Sequence, residues 1–320
     1  MKRVTLPGTD LTTSELGFGS TGGRISDRER LRLYQVALDH GITHFDTARA
    51  YGVGGAEGVL GRFLAGRRDQ VTVTTKLGIL PPSSGAFLRV ARLAARTAER
   101  LLPSTGARAK QVAGRRLLTG KRFSLDDART SFETSLRELG TDHVDILLLH
   151  ECAPDEVQED LLDFLDERVQ AGQVRFTGIA TGVESTAAIT RRDAAFPAIV
   201  QVANSATEPS LERLSLAGRA TITHSPFSTG LAPLRATLST LPDLAQRWTR
   251  ELQADISDLR TLSNLMLSYA LRANRGGVVL FFSRRTDHIA ANAADASGSP
   301  AFSDDRLAAF ARLVREHRLS

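Results

Sequence analysis

Apolar positions along this chain follow two alternating patterns. Short runs such as residues 71–75, 144–149 and 278–281 are dense in Val, Ile and Leu, and between them lie longer stretches where apolar residues recur every three or four positions. The short runs have the length of strands buried on both faces, the longer ones the period of amphipathic helices. Strands are expected at residues 15–18, 43–45, 71–75, 144–149, 175–179, 198–202, 220–223 and 278–281, and helices at 27–40, from about 57, and at 124–139, 156–171, 241–255, 258–273 and 304–317. Ser26-Asp27-Arg28-Glu29 has the capping-box form, Ser124 opens another helix, and Gly41, Gly140 and Gly172 stand where helices should stop. Ahead of the first strand, residues 3–6 and 11–13 flank the turn signal Pro7-Gly8-Thr9-Asp10 and read as a hairpin able to plug the bottom of a barrel. Eight strands alternating with helices predict an α/β protein, a (β/α)₈ TIM barrel spanning residues 1–320 as one domain.

Composition narrows the classes without changing this picture. With 320 residues, 42% hydrophobic and 24% charged, the chain lies in the ordinary globular range. One cysteine, Cys152, excludes an internal disulfide, and no apolar run reaches the roughly 18 residues of a spanning helix, so a cytoplasmic protein without a membrane partner is expected. The net charge of +5 is concentrated in one place: residues 83–122 hold 10 Lys or Arg and a single acid, Glu99, whereas the remaining 31 bases and 35 acids leave a net of −4. Basicity therefore belongs to an insertion after the third strand. No nucleic-acid partner is expected, since the insertion lacks interleaved aromatics and any recognition motif. Arg89, Arg92, Arg96 and Arg100 recur there at helical spacing beside Leu88, Val90, Ala91 and Leu101, predicting an amphipathic helix. Such a helix either packs on the barrel with a solvated basic face or covers the mouth as a lid.

The candidate chemistry gathers where strands end. Asp46 closes the second strand and Tyr51 follows in the same loop, Lys76 follows the third strand, and His150 the fourth. Taken singly, an Asp after a strand reads as a helix cap, a Lys as a solvated end and a His as a satisfied polar group. Together, at the carboxyl ends of three consecutive barrel strands, they face a common mouth. A free phenol has a pKa near 10 and becomes a useful proton donor only when cations or hydrogen bonds stabilise its anion, which Lys76 and His150 are suited to do. Asp46 can pair with Lys76 and keep it charged.

At this point the sequence resembles the aldo-keto reductase family, whose catalytic Asp, Tyr, Lys and His match Asp46, Tyr51, Lys76 and His150. The resemblance runs from the hairpin through Gly41-Ile42-Thr43-His44-Phe45-Asp46-Thr47-Ala48, Thr74-Thr75-Lys76 and Asp145-Ile146-Leu147-Leu148-Leu149-His150 to Asn292, and is nearest the aldose, fucose and pyridoxal-type dehydrogenase branch. It implies an oxidoreductase for a small-molecule carbonyl or the corresponding alcohol. Because Tyr51 supplies a proton and no metal-ligand cluster is evident, an organic cofactor must carry the hydride. The family's is a nicotinamide dinucleotide, usually NADP(H). Its expected contacts are Gly19 at the first strand, Thr181 and Gln201 after strands five and six, and His224-Ser225-Pro226-Phe227 after strand seven. Ala180 and Thr181 replace the family's usual Ser and Asn, and His224 stands where a stacking tyrosine is common. At the adenine end come Ser283, Arg284, Arg285, His288 and Asn292, with adjacent guanidinium groups suited to a 2′-phosphate.

Two competing readings follow. Gly17-Phe18-Gly19-Ser20-Thr21-Gly22 imitates the G-x-G-x-x-G dinucleotide fingerprint, but the capping box begins only at Ser26, so no helix N-terminus opens inside the glycine run. The auxiliary β-subunits of potassium channels also resemble these reductases, which makes a non-catalytic NADPH-binding regulatory subunit the alternative function.

Overall fold

The computed structural model describes residues 1–20, 25–81, 122–193, 195–216, 218–228 and 230–317. The basic insertion, apart from Arg122, lies outside the described residues, and so do the expected helix within it and residues 21–24 of the glycine run.

The chain opens with a hairpin, β1 (Arg3–Thr5) and β2 (Thr12–Ser14), paired antiparallel with Val4 opposite Thr13. It continues as β3 (Leu16–Gly19), α1 (Asp27–Asp39), β4 (His44–Asp46), α2 (Ala56–Leu64), β5 (Thr72–Leu77), α3 (Leu125–Leu139), β6 (Val144–His150), α4 (Glu159–Gln170), β7 (Val174–Ala180), α5 (Val183–Arg192) and β8 (Ile199–Ala203). After β9 (Ala220–His224) come α6 (Leu231–Thr240), α7 (Pro242–Leu252), α8 (Leu259–Ala273), β10 (Val278–Phe281), α9 (Thr286–Ser297) and α10 (Asp304–Glu316). Strands β3 to β10 are all parallel and close on themselves in chain order, β10 pairing β3. This is the expected (β/α)₈ barrel. A dinucleotide-binding doubly wound sheet is thereby excluded, and α1 starts at Asp27 behind its Ser26 cap.

Three local signals held at the atomic level. Ser26 Oγ accepts from Glu29 N at 3.2 Å, Ser124 Oγ accepts from Asp127 N at 3.3 Å, and Gly140 ends α3 at φ 62°. The structure departs from the pattern elsewhere. Residues 182–196 and 225–240, outside the helices expected from the apolar pattern, contain α5 and α6. In α5 the polar and β-branched sequence hides a buried face of Thr186 and Ile189. Pro242 separates α6 from α7 because it occupies the first turn, where no N–H is needed. Between β8 and β9 the chain makes a 3₁₀ turn at Ser210–Arg213.

Among the described residues the core has three parts. The largest lies between strands and surrounding helices, and a second joins α6, α7, α8 and α10 around Trp248 and Phe310. The third is the barrel interior, where Val4, Leu6 and Leu11 of the hairpin pack with Ile146, Leu148, Ile199, Ile222 and Val278. The hairpin therefore caps the amino-terminal end of the barrel and leaves the carboxyl end for the site.

Below that site sits His44, fully buried, its Nε2 3.1 Å from Thr74 Oγ1. Desolvation, only partly opposed by Asp46 and Asp145, lowers its pKa from 6.5 to about 4. The unfolded chain therefore binds a proton that the folded chain refuses between those values, and stability is lost as pH falls through that window, by about 1.4 kcal/mol per pH unit. His44→Gln should show a shallower loss of urea-unfolding free energy between pH 7 and pH 5 than the parent chain. Equal slopes would mean that His44 does not drive acid sensitivity.

Candidate active site

Strands β4, β5 and β6 are neighbours, and their register builds a staircase. Asp46 is paired with Thr74, Lys76 lies two residues further along β5, Lys76 is paired with Leu148, and His150 lies two further along β6. Steps of two keep all three side chains on the inward face while the barrel's shear raises each one above the last. Lys76 Nζ donates to Asp46 Oδ1 at 2.6 Å and to Thr47 O at 2.9 Å, with Lys76 only 1% exposed. The other carboxylate oxygen, Asp46 Oδ2, accepts from Gln201 Nε2 at 2.8 Å.

Tyr51 stands over this pair. The Lys76 ammonium lies 4.9 Å from the centroid of the Tyr51 ring and shares a hydrogen bond with its hydroxyl. The His150 ring meets the Tyr51 ring edge-on, centroids 5.7 Å apart at 87°. Burial by itself would push the Lys76 pKa down, but the charges and hydrogen bonds of Asp46 and Tyr51 outweigh it, and the ammonium is held above its ordinary range. Tyr51 is half-buried, so the phenol borders the opening. The structure thus brings Asp46, Tyr51, Lys76, His150 and Gln201 together.

The turn that presents Tyr51 is not relaxed. Gly52, Val53 and Gly54 have φ of 61°, 60° and 90°. Gly54 has no room for a side chain, since a Cβ there would lie 2.9 Å from Pro81 Cβ. Val53 is a β-branched residue in the left-handed region, a conformation that costs about 1 to 2 kcal/mol.

Three residues that sequence reasoning missed surround this turn. Arg49, two positions before Tyr51, makes a 2.5 Å ion pair with Glu57 Oε2, and Glu57 Oε1 accepts from Thr75 Oγ1 at 2.6 Å. Glu57 is 1% exposed. An acid near a helix start reads in sequence as a partner for the helix dipole, and nothing in the spacing names Arg49 as its counter-ion.

The residues expected to hold a cofactor occupy the same end of the barrel. Gly19 is paired with Asp46 across β3 and β4. Thr181 is buried, and its hydroxyl donates to Cys152 O at 3.0 Å. His224 Nδ1 lies 2.9 Å from Ser225 Oγ, and Ser225 itself has φ 64°. Pro226 and Phe227 follow, Phe227 packing between the two outer core clusters. Asn204, next after β8, has a buried Nδ2 without a hydrogen-bond partner among the described residues. At the far end, Ser283 Oγ accepts from Arg285 N at 3.1 Å, Arg284 and His288 are exposed, and Asn292 is buried in α9. Arg285 is engaged: its Nε donates to Asp287 Oδ1 at 3.0 Å and a terminal nitrogen to Oδ2 at 2.5 Å. Hydrogen bonding by Arg285, the largest cause, lowers the Asp287 pKa to about 2. The described residues contain no cluster of three or more His, Cys, Asp and Glu able to hold a metal ion, and no helix long and apolar enough to cross a membrane.

Fold and site together describe a closed parallel barrel whose mouth holds a tyrosine over a buried lysine–aspartate pair. The chain belongs to the aldo/keto reductase family, whose model matches residues 15–314. Among characterised relatives it is 31% identical to the 6-dehydroglucose reductase of Agrobacterium fabrum over 149 residues, 46% of this chain and 41% of that protein. It is 26% identical to the aldo-keto reductase YhdN of Bacillus subtilis over 56% of this chain and 47% of that protein. These matches span less than half the length of either relative. The fold resembles that of the aldo-keto reductase AKR11C1 from Bacillus halodurans in its holo form, with a TM-score of 0.71 at 19% identity over 98% of this chain and 96% of that one. The glycerol dehydrogenase AKR11B4 from Gluconobacter oxydans gives a TM-score of 0.69 at 18% identity over 99% and 96%.

Proposed function

We propose that this chain is an NADP(H)-dependent oxidoreductase that reduces an aldehyde or ketone to an alcohol, or catalyses the reverse, with Tyr51 as the general acid or base. The observation that carries this reading is the contact of the Tyr51 phenol with a lysine that is buried, charged and paired to Asp46. A bound nicotinamide supplies or accepts the hydride. Tyr51 gives its hydroxyl proton to the carbonyl oxygen as charge develops there. Lys76 stabilises the tyrosinate left behind, Asp46 keeps Lys76 protonated, and His150 orients the carbonyl beside the phenol. Run in the oxidising direction, the tyrosinate takes the proton from the alcohol.

Support for a dinucleotide comes from this chain's own donors. Asn204 sits just past the end of β8 with an amide donor to spare, while Gln201, inside β8, has its amide nitrogen on Asp46. Arg284, Arg285 and His288 cluster at the start of α9, with Asn292 two turns along. Charge complementarity to a 2′-phosphate favours NADP(H), although Asp287 already neutralises Arg285 and must release it. Replacing Arg284 and Arg285 together by Ala should weaken NADPH binding by on the order of tenfold or more while NADH changes little. Asp287→Asn should act in the opposite sense. Equal losses for both cofactors would show that these arginines only shape the loop.

The substrate is a small carbonyl compound, and the names of the relatives, a sugar reductase and a glycerol dehydrogenase, make polyhydroxy aldehydes the first to test. A cytoplasmic location is proposed on the single buried cysteine. The deciding experiment is steady-state oxidation of NADPH with a panel of aldehydes and sugars, beside fluorescence quenching of the bound cofactor. Quenching without aldehyde-dependent turnover would overturn the enzyme and leave a nucleotide-binding subunit.

A further inference from the structure

We infer that Glu57 and Arg49 are positioning residues for Tyr51: their buried ion pair, tied to β5 through Thr75, locks the left-handed turn that holds the phenol against Lys76. This inference rests on the function proposed above and adds residues to it.

Three observations converge. Arg49 lies on the same loop as Tyr51, its guanidinium 2.5 Å from Glu57 Oε2 and mostly buried. Glu57 stands in the first turn of α2, 1% exposed, and its second oxygen accepts from Thr75 on β5. Thr75 is the neighbour of Lys76 in sequence, so its side chain points out of the barrel where that of Lys76 points in. Glu57 therefore connects the backbone that carries Lys76 to the backbone that carries Tyr51. It does so from behind the barrel wall, without touching the mouth.

The turn needs such an anchor. Three consecutive positive φ values, one of them at Val53, make a conformation that a free loop would leave, and strain of this kind persists where surrounding contacts over-determine it. The hydrogen bond from Tyr51 N to Ala48 O, 3.0 Å, holds only the base of the turn. The Arg49 ion pair and the contact of Gly54 with Pro81 hold its flanks. Releasing the pair lets Tyr51 drift from Lys76 while the barrel strands, and hence the cofactor contacts, stay in place.

Among the described residues, the titratable and charged groups facing the phenol and its loop are Arg30 on α1, whose guanidinium approaches Gly52, Asp46 on β4, Lys76 on β5, His150 on β6, and Arg49 with Glu57 behind. Because Arg49 and Glu57 carry opposite charges, removing both leaves the net field at Tyr51 nearly unchanged, and a shift in its titration then reports distance from Lys76. The test compares the parent chain with Arg49→Gln/Glu57→Gln and with Thr75→Val, measuring pH–rate profiles for NADPH-dependent reduction of a reactive aromatic aldehyde, NADPH affinity by fluorescence quenching, and Tm. Replacing both members of a buried pair is far milder than removing one, so the double variant should fold. Its kcat should fall about ten- to a hundredfold with NADPH affinity retained, and the alkaline limb should move up by about one pH unit as the phenol loses its cation. Thr75→Val should move the limb in the same direction by less, and it decides the matter if the double variant is unfolded. A parent-like alkaline limb, with any loss of kcat accounted for by unfolded protein, would overturn the inference. Absence of turnover in the parent chain would instead remove the proposed function, and is read before any variant is made.

Discussion

Tyr51→Phe should lose aldehyde reduction by roughly 10² to 10⁴-fold, the range that a positioned general acid contributes. The substitution removes one oxygen and keeps the ring that His150 meets edge-on, so packing at the mouth is preserved. Cofactor affinity should stay within about twofold, because nothing that would hold a dinucleotide is altered. Two readouts separate the effects: steady-state turnover should collapse, and fluorescence quenching by the chain should be unchanged. The residual rate should also lack the alkaline limb, since no phenol remains to titrate. Parent-like turnover in Tyr51→Phe would refute the proposed acid.

Lys76→Met has the second large effect, and it acts on stability as well as rate. The substitution leaves the Asp46 carboxylate buried with Gln201 Nε2 as its remaining side-chain donor among the described residues. Breaking one side of a buried ion pair costs about 3 to 5 kcal/mol, more than most single changes in a core. The Lys76 pKa is raised in the folded chain, so the stability it confers is present in full below the ordinary lysine value and is lost only as pH climbs beyond it. The deficit of the variant should accordingly be constant from pH 6 to pH 9 in urea unfolding. Losing the cation also raises the pKa of Tyr51, so what activity survives should show an alkaline limb at higher pH than the parent. A variant whose pH–rate profile overlays that of the parent would sever the link between lysine and phenol.

The two substitutions differ because of where each side chain sits. Tyr51 borders solvent on a turn, whereas Lys76 is an inward residue of a central strand with its charge satisfied by Asp46 and Thr47. Removing the first deletes chemistry; removing the second also opens a defect in the barrel interior. Only the second should lower Tm strongly.

Much of the architecture was legible without coordinates. Apolar runs flanked by turn residues located all eight barrel strands to within a few residues, and Ser26, Ser124 and Gly140 marked helix ends because a side-chain oxygen or a left-handed residue there meets a local need. Residues 182–192 were not legible, since Thr and Ala carry little apolar signal and α5 forms by burying one face against the barrel. Nor was α6 at Leu231–Thr240, where no helix was expected, whereas the helix expected at 241–255 is present as α7.

The chemical residue types and their places at strand ends were determined by the sequence, because strand ends are local and a barrel sends successive ones to the same face. Which atoms meet was decided by register and closure. Gln201 reaches Asp46 across 155 positions only because β4 and β8 face each other inside a closed barrel. Glu57 chooses Arg49 and Thr75 over solvent because α2 packs behind β5, and Asp287 captures Arg285 because both stand at the first turn of α9. Side-chain pairing of this kind depends on distances of a few ångströms, which periodicity along one strand cannot specify and the packing of several elements can.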